Sequence, residues 1–360
     1  MIAVRPNQER IPTLDGWRAI AVLLVLVSHI VIALHVTLHI PYTDGIGQHG
    51  VAIFFVLSGF LITSRLQHEK ETRGSIDLRS FYIRRFFRLM PCAWTYLAFV
   101  FIMTSATHPR VLTSQEIWAS LLCFRNFIDS SGIHAPQPTG HFWSLAIEEQ
   151  FYLIWPSILI VSGTRWARWL AVVGALGISL NRLHHWANLS HIPLQATFGT
   201  QYRADALLVG CATALFLPVL RPYLRAWMSL PLLAALLWCA TVFHRLIPLR
   251  ESILIALLIA LTTERLHPSF SRVLDWKPLA LVGTLSYSLY IWQQAFLVSA
   301  YSLPALFIKI LIFPVAAVSS YYLIEEPLVR KGKEIARRFR TSRAAPESTQ
   351  PASRRISHPA

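Results

Sequence analysis

Charge is what this 360-residue sequence is short of: 14% of its residues are Asp, Glu, Lys or Arg, against about 25% in ordinary soluble domains. That scarcity, with 54% hydrophobic residues and a mean hydropathy of +0.47, argues against a water-soluble globular class. Acidic residues are fewest, 18 against 33 basic ones, for a formal net charge of +15. Cysteine is limited to Cys92, Cys123, Cys211 and Cys239. These are scattered through apolar segments, which excludes a disulfide framework and a cysteine metal site, and no metal is expected. No period marks a repeat array, and no convincing small-x-small cleavage site follows the first apolar run, which therefore reads as an uncleaved membrane helix rather than a signal peptide.

What the sequence does hold is apolar runs long enough to cross a bilayer. About ten segments stand out, near 14–34, 46–64, 86–105, 142–162, 165–181, 204–220, 226–243, 251–264, 277–299 and 303–324. The expectation is an all-α, polytopic membrane protein of about ten transmembrane helices, with a membrane domain over 1–329. The stretch 330–360, basic and then rich in Pro, Ser and Ala, reads as a disordered cytoplasmic tail.

Lys and Arg fix the orientation. With the N-terminus inside, the loop around 65–88 carries Arg65, Lys70, Arg73, Arg79, Arg84, Arg85 and Arg88. Other inside loops carry Arg165 with Arg168, Arg221 with Arg225, and Arg265, Arg272 and Lys277. Both termini are then cytoplasmic. The positive charge belongs to a cytoplasmic surface facing anionic membrane lipid, and no basic soluble fold remains to bind nucleic acid.

Ionisable residues inside such runs are candidates for function. Arg18 and His29 bracket "RAIAVLLVLVSH". Eleven positions turn a helix by about 1100°, so the two share a face about 16 Å apart. In "GVAIFFVLSGFLIT", Ser58 and Gly59 interrupt a bulky helix; they mark either close helix packing or the wall of a groove for a thin ligand. In "FYIRRFFRLMP", Arg84, Arg85 and Arg88 fall at helical spacing. They read as positive-inside anchors or as a site for a phosphate-bearing ligand, since guanidinium groups bind phosphate bidentately. In "TGHFWSLAIEEQFYLIWP", Glu148 and Glu149 lie two turns into a helix entering from outside. Depth matching sets them near His29, and their divergence by about 100° calls for different partners.

Together these stretches resemble the acyltransferase-3 family of membrane O-acyltransferases. The carriers are "LDGWRAIAVLLVLVSH", "GVAIFFVLSGFLI", "RRFFRLMP", "HFWSLAIEEQFYLIWP", "LSYSLYIWQ" and "YYLIEEP", six motifs in order between Ile11 and Pro327. The resemblance implies transfer of an acyl group, often acetyl, from cytoplasmic acetyl-CoA or another acyl-CoA to an extracytoplasmic acceptor. That acceptor is commonly a hydroxyl of a surface carbohydrate or lipid-linked glycan, and the setting is a bacterial cytoplasmic (inner) membrane. It implies His29 in catalysis, Glu148 as a further active-site residue, and Arg18, Arg84 and Arg88 near the donor, which Arg85 joins by spacing. The Ser58–Gly59 groove would take the pantetheine arm. Candidate substrate-binding residues in the matched motifs are His141, Trp143, Ser144, Glu149, Tyr287, Tyr290 and Gln293.

Relatives often have histidine where this chain has Gln293, and a glutamine there would hold a hydroxyl rather than move a proton. Many relatives also carry a soluble esterase-like domain after the membrane part, for which 330–360 leaves no room. His29 acts either as general base oriented by Glu148 or through an acyl-histidine intermediate. A transporter or flippase would also carry intramembrane His, Arg and Glu, but no inverted repeat is visible. A docking protein would give these charges no purpose.

Overall fold

The computed structural model describes residues 12–38, 45–107, 112–128, 137–188, 198–242, 248–297 and 302–344. Among the described residues the chain is all-helical. The elements are α1 (Pro12–Leu38), α2 (Ile46–Arg73), α3 (Leu78–Thr107), α4 (Ser114–Leu121), α5 (Phe142–Asn188), α6 (Thr200–Arg203), α7 (Asp205–Leu220), α8 (Ser229–Val242), α9 (Pro248–Thr263), α10 (Pro268–Leu274), α11 (Lys277–Leu297), α12 (Leu303–Ser320) and α13 (Glu326–Ala344). A π-helical segment, Tyr321–Glu325, joins the last two.

Among the described residues five helices are long and apolar enough to cross a membrane, and a sixth is counted if the pair 249–263 and 268–274, bent by 99°, is one span. Two shorter apolar helices, Asp205–Leu220 and Ala226–Cys239, join them. Large side chains point outward along these helices, with Val161 88% and Leu311 74% exposed. In water such a surface would aggregate; in lipid it is the solvated face. The chain is a multi-pass membrane protein.

Local chemistry sets the helix boundaries. Gly74 ends α2 in the left-handed region (φ 75°) and donates to the Lys70 carbonyl. Such a stop suits glycine, which lacks the Cβ that disfavours this region. The basic stretch 65–88 is therefore mostly helix: α2 runs down to Arg73 and α3 starts at Leu78. Hydropathy marks only the apolar part of a helix, and the charged ends project beyond it. Gly163 breaks α5 at φ 66°, ψ 170°, and divides it into two helical arms.

The helices close on small residues, as expected where lipid supplies no hydrophobic drive. A Cβ on Gly59 would meet the Leu207 carbonyl at 1.9 Å, and one on Gly210 the Val56 carbonyl at 2.1 Å, so α2 and α7 touch backbone to backbone. The larger core cluster fills the space between α1, α2, α5, α7 and α9, with Trp155, Leu207, Ile255 and Ile259 fully buried. A second packs α1, α3 and α11 around Tyr96, Phe142 and Trp292.

The stretch expected to be a disordered tail begins as ordered helix. α13 carries residues 330–344 and docks on α3. Ser80 donates to the Ala336 carbonyl at 3.1 Å, Arg79 lies over the Phe339 ring at 3.7 Å, and Arg340 pairs with Glu69 at 3.2 Å. Composition alone hid this, because an amphipathic basic helix is stabilised by its docking surface rather than by its own propensity. Residues 345–360 lie outside the described residues.

Candidate active site

A cavity of about 240 Å³ opens where α1 begins, α2 ends and α3 begins. Five arginines line it: Arg18 from α1, Arg65 from α2, and Arg84, Arg85 and Arg88 from α3. Lys333 and Val329 of α13 complete its wall. Their arrangement follows from helical periodicity. Arg84, Arg85 and Arg88 recur at i, i+1, i+4, and Arg65 follows Ser58 by seven residues, so that both sit on the cavity side of α2.

The arginines are not equivalent. Arg18 bonds Asp15 at 2.8 Å. Arg85 is held on three sides: it reaches Glu149 at 3.3 Å and Glu148 at 3.7 Å, and its guanidinium lies 3.5 Å from the centre of the Tyr152 ring. Arg84 faces Glu69 at 3.9 Å. Arg65 and Arg88 form no ion pair among the described residues, and their strongest charged neighbours are other arginines. The Arg65 side chain is surrounded by protein yet accessible, because its accessible surface is the cavity wall. A cavity ringed by like charge within low-dielectric walls concentrates its field on an entering anion.

Away from the arginines the lining becomes apolar and hydroxyl-bearing, with Val51, Phe54, Phe55, Ser58, Leu61, Ser144, Ser286, Tyr287 and Tyr290. Ser58 donates to Glu148 at 2.8 Å and Tyr287 to the Leu89 carbonyl at 2.6 Å. The Ser144 and Tyr290 hydroxyls pair at 2.6 Å, and both reach the His141 carbonyl at 3.2 Å.

His29 does not line this cavity; it is joined to the cavity wall through hydrogen bonds. The His141 N–H donates to Gln294 Oε1 at 3.1 Å, which turns the Gln294 amide nitrogen toward His29 Nε2 at 3.4 Å. His29 Nδ1 lies 2.9 Å from the Val25 carbonyl. A carbonyl only accepts, so Nδ1 carries the proton and Nε2 is left with its lone pair, the state a base requires. The His141 ring is packed between Tyr96, Phe142 and Tyr290 at centroid distances of 5.3, 4.9 and 5.5 Å.

Several expectations are corrected by this geometry. Glu148 is not the partner of His29: it accepts from Ser58 and faces Arg85. The helix α5 begins inside the bundle, with Phe142 stacked on Tyr96, so two turns carry Glu148 down to the arginines. Glu148 and Glu149 do not need separate partners, because one forked guanidinium spans both. Glu149 lies outside the lining, and so does Gly59, whose backbone is spent on the α2–α7 contact. Trp143 faces away from its neighbour Ser144. It lines a second cavity of about 60 Å³ with Gln48, His49, Arg182, Arg203, Asp205 and Glu251, and stacks on Phe198 at 4.4 Å. Val51 and Phe55 wall both cavities.

Sequence reasoning missed Arg65, Tyr152, Gln294 and Lys333. The seven-residue step from Ser58 marked Arg65 and the four-residue step from Glu148 marked Tyr152. Lys333 carries no such signal, since the basic composition of 330–360 resembles that of a tail.

Residues 11–324 match the model of the acyltransferase-3 family, described as an acyltransferase domain. The chain belongs to that family. Among curated relatives, a peptidoglycan O-acetyltransferase of Listeria monocytogenes is 33% identical over 80% of this chain and 50% of its own length. A putative peptidoglycan O-acetyltransferase of Bacillus subtilis is 31% identical over 91% of this chain and 56% of its own length. An O-acetyltransferase of Staphylococcus aureus is 30% identical over 89% and 58%. This acyltransferase-3 chain thus spans about half the length of these relatives. No solved structure matches it.

Proposed function

We propose that the protein is a membrane O-acetyltransferase. It takes an acetyl group from acetyl-CoA entering from the cytoplasm and transfers it to a carbohydrate hydroxyl on the other side of a bacterial inner membrane. The observation that carries this reading is the ring of Arg18, Arg65, Arg84, Arg85 and Arg88 around one cavity. Two of these carry no ion pair among the described residues, so the ring is completed by an anion. A lining that joins arginines to apolar and hydroxyl-bearing side chains suits a ligand with phosphates at one end and a thin, neutral arm, as in an acyl-CoA. Its phosphates fit Arg65, Arg84, Arg88 and Lys333, and its arm fits the stripe of Ser58, Tyr287 and Tyr290. The thioester end would then meet His29. The names of two relatives support peptidoglycan as the acceptor. The cavity of Trp143 and Arg203 is suited to the acceptor side, since an aromatic face beside charged groups suits a sugar.

In this reading ten helices span the membrane, the two arms of α5 counting separately and the shorter α7, α8, α9 and α11 each crossing. Both termini are cytoplasmic, because Arg65, Arg73, Arg79, Arg84 and the basic face of α13 then share the inner side. His29 Nε2 receives the acceptor hydroxyl proton, the acceptor displacing the long 3.4 Å contact from Gln294, while the Val25 carbonyl holds the ring through Nδ1. The test is transfer of labelled acetyl from acetyl-CoA to soluble peptidoglycan fragments by membrane vesicles containing the protein. Label in the glycan ester fraction is expected. Uptake of solute without ester formation would make the protein a transporter instead.

A further inference from the structure

Gln293 is fully buried, at 0% exposure, and neither its side-chain oxygen nor its nitrogen has a hydrogen-bond partner. Buried amides are usually satisfied; His141 and Trp292 beside it also hold unpartnered ring nitrogens, and Gln293 is the amide with both side-chain atoms free to take a partner from outside the chain. Its position shows what that partner meets. Ser286 and Tyr290 line the cavity from α11. Gln293 follows them by seven and three residues, which continues the same helical face one turn further from the arginines. There it faces the His29 ring without meeting hydrogen-bond geometry. The neighbouring Gln294 is committed, its oxygen to the His141 N–H and its nitrogen to His29. Gln293 is the uncommitted amide beside the proposed base.

We infer that Gln293 is the oxyanion donor of acyl transfer, with its amide N–H aimed at the carbonyl oxygen of the donor thioester. This rests on the O-acetyltransferase reading above. In the step, the acceptor oxygen bonds to the thioester carbon as its proton passes to His29 Nε2. The carbonyl π pair moves onto oxygen, and that oxyanion accepts a hydrogen bond from Gln293. Collapse re-forms the carbonyl and breaks the carbon–sulfur bond, and the imidazolium returns its proton to the sulfur. An ester and free CoA thiol result, with no other reactant. A histidine at this position would also present an N–H, so that substitution keeps the property the step needs.

The experiment compares wild type with Gln293→Leu, Gln293→Glu and Gln293→His. It uses labelled acetyl-CoA and soluble peptidoglycan fragments, with thermal unfolding measured on the same preparations. Gln293→Leu should lower kcat about 10²–10³-fold, the usual cost of losing one oxyanion donor, and leave KM for acetyl-CoA within about threefold. Its unfolding temperature should not fall, because an unsatisfied buried amide has been replaced by an apolar side chain. Gln293→Glu should be slower than Gln293→Leu, since a carboxylate repels the oxyanion, and Gln293→His should recover most of the lost rate. A Gln293→Leu enzyme with wild-type kcat overturns the assignment. A joint fall of kcat and unfolding temperature without rescue by histidine also overturns it, because that is the signature of a structural residue. If wild type itself transfers no acetyl group, the functional reading falls first and this one with it.

Discussion

Replacing Arg65 or Arg88 with alanine tests the donor cavity most directly, because the reasoning fixes two signs at once. The strongest charged neighbours of each side chain are other arginines, ahead of Asp15 for Arg65 and Glu325 for Arg88. Two like unit charges repel by about 4 kcal/mol at about 4 Å and an effective dielectric of about 20, and by less as they move apart. Removing one should leave the ligand-free protein as stable as wild type or more so. The donor should suffer: a charge-assisted phosphate contact is worth about 1.5–3 kcal/mol, and a mid-range loss of about 2 kcal/mol is roughly 30-fold in Kd. At a CoA concentration 100 times the wild-type Kd, binding stabilises wild type by about 2.7 kcal/mol. The same concentration should stabilise the variant by only about 0.9 kcal/mol. The assay is thermal unfolding of detergent-purified protein titrated with CoA. Variants that unfold earlier without ligand, or that keep the full CoA shift, would refute the account of these arginines as phosphate-binding groups.

His29→Ala should lower turnover by about 10²–10⁴-fold and leave the CoA-induced thermal shift intact, because His29 lies outside the cavity lining; both are read on one preparation. Arg85→Ala should behave opposite to Arg65→Ala and destabilise the ligand-free protein by about 3–5 kcal/mol, since it strips Glu148 and Glu149 of their shared partner; chemical unfolding measures it. Glu148→Gln should leave the pH–rate profile in place, because Glu148 bonds Ser58 and not His29, and a displaced basic limb would contradict that geometry. Asp77, in the link between α2 and α3, predicts a pH effect on stability. Burial alone would raise its pKa, but the Ser80 hydroxyl and N–H together with Arg340 and Arg84 outweigh burial and hold it below the usual carboxylate range. A lowered folded-state pKa stabilises above the unfolded value, near 3.9, and that contribution is lost as pH falls through the folded value. Asp77→Asn should therefore unfold earlier than wild type at neutral pH, with the difference vanishing in acid, as thermal unfolding across pH would record.

The membrane class and the arginine face of α3 were legible because each rests on a local pattern. Apolar length announces a membrane helix, and i, i+4 spacing announces a shared face. The partner of Glu148 was not legible. Depth along a sequence assumes that every helix starts at the membrane surface, and α5 starts beside Tyr96 within the bundle. The role of Gly59 was open between packing and groove because azimuth around a helix depends on its neighbour, here Leu207 of α7. Lys333 was hidden for a related reason: α13 is folded by what it docks on. Gln293 stands out in sequence only as a departure from the histidine that the family resemblance implies. That it is buried without a partner is a three-dimensional fact.

The Ser144–Tyr290 pair and the His141 backbone stand between the arginine cavity and His29, and this bears on membrane potential. Carrying one charge across 100 mV takes about 2.3 kcal/mol, and CoA bears several negative charges. In the proposed reaction the phosphates stay at the arginines and only the neutral pantetheine arm and acetyl group reach past the Ser144–Tyr290 pair, so no charge would traverse the field. Turnover should then be the same in energised and de-energised vesicles, and acetylation would proceed without any ion gradient, driven by the thioester alone.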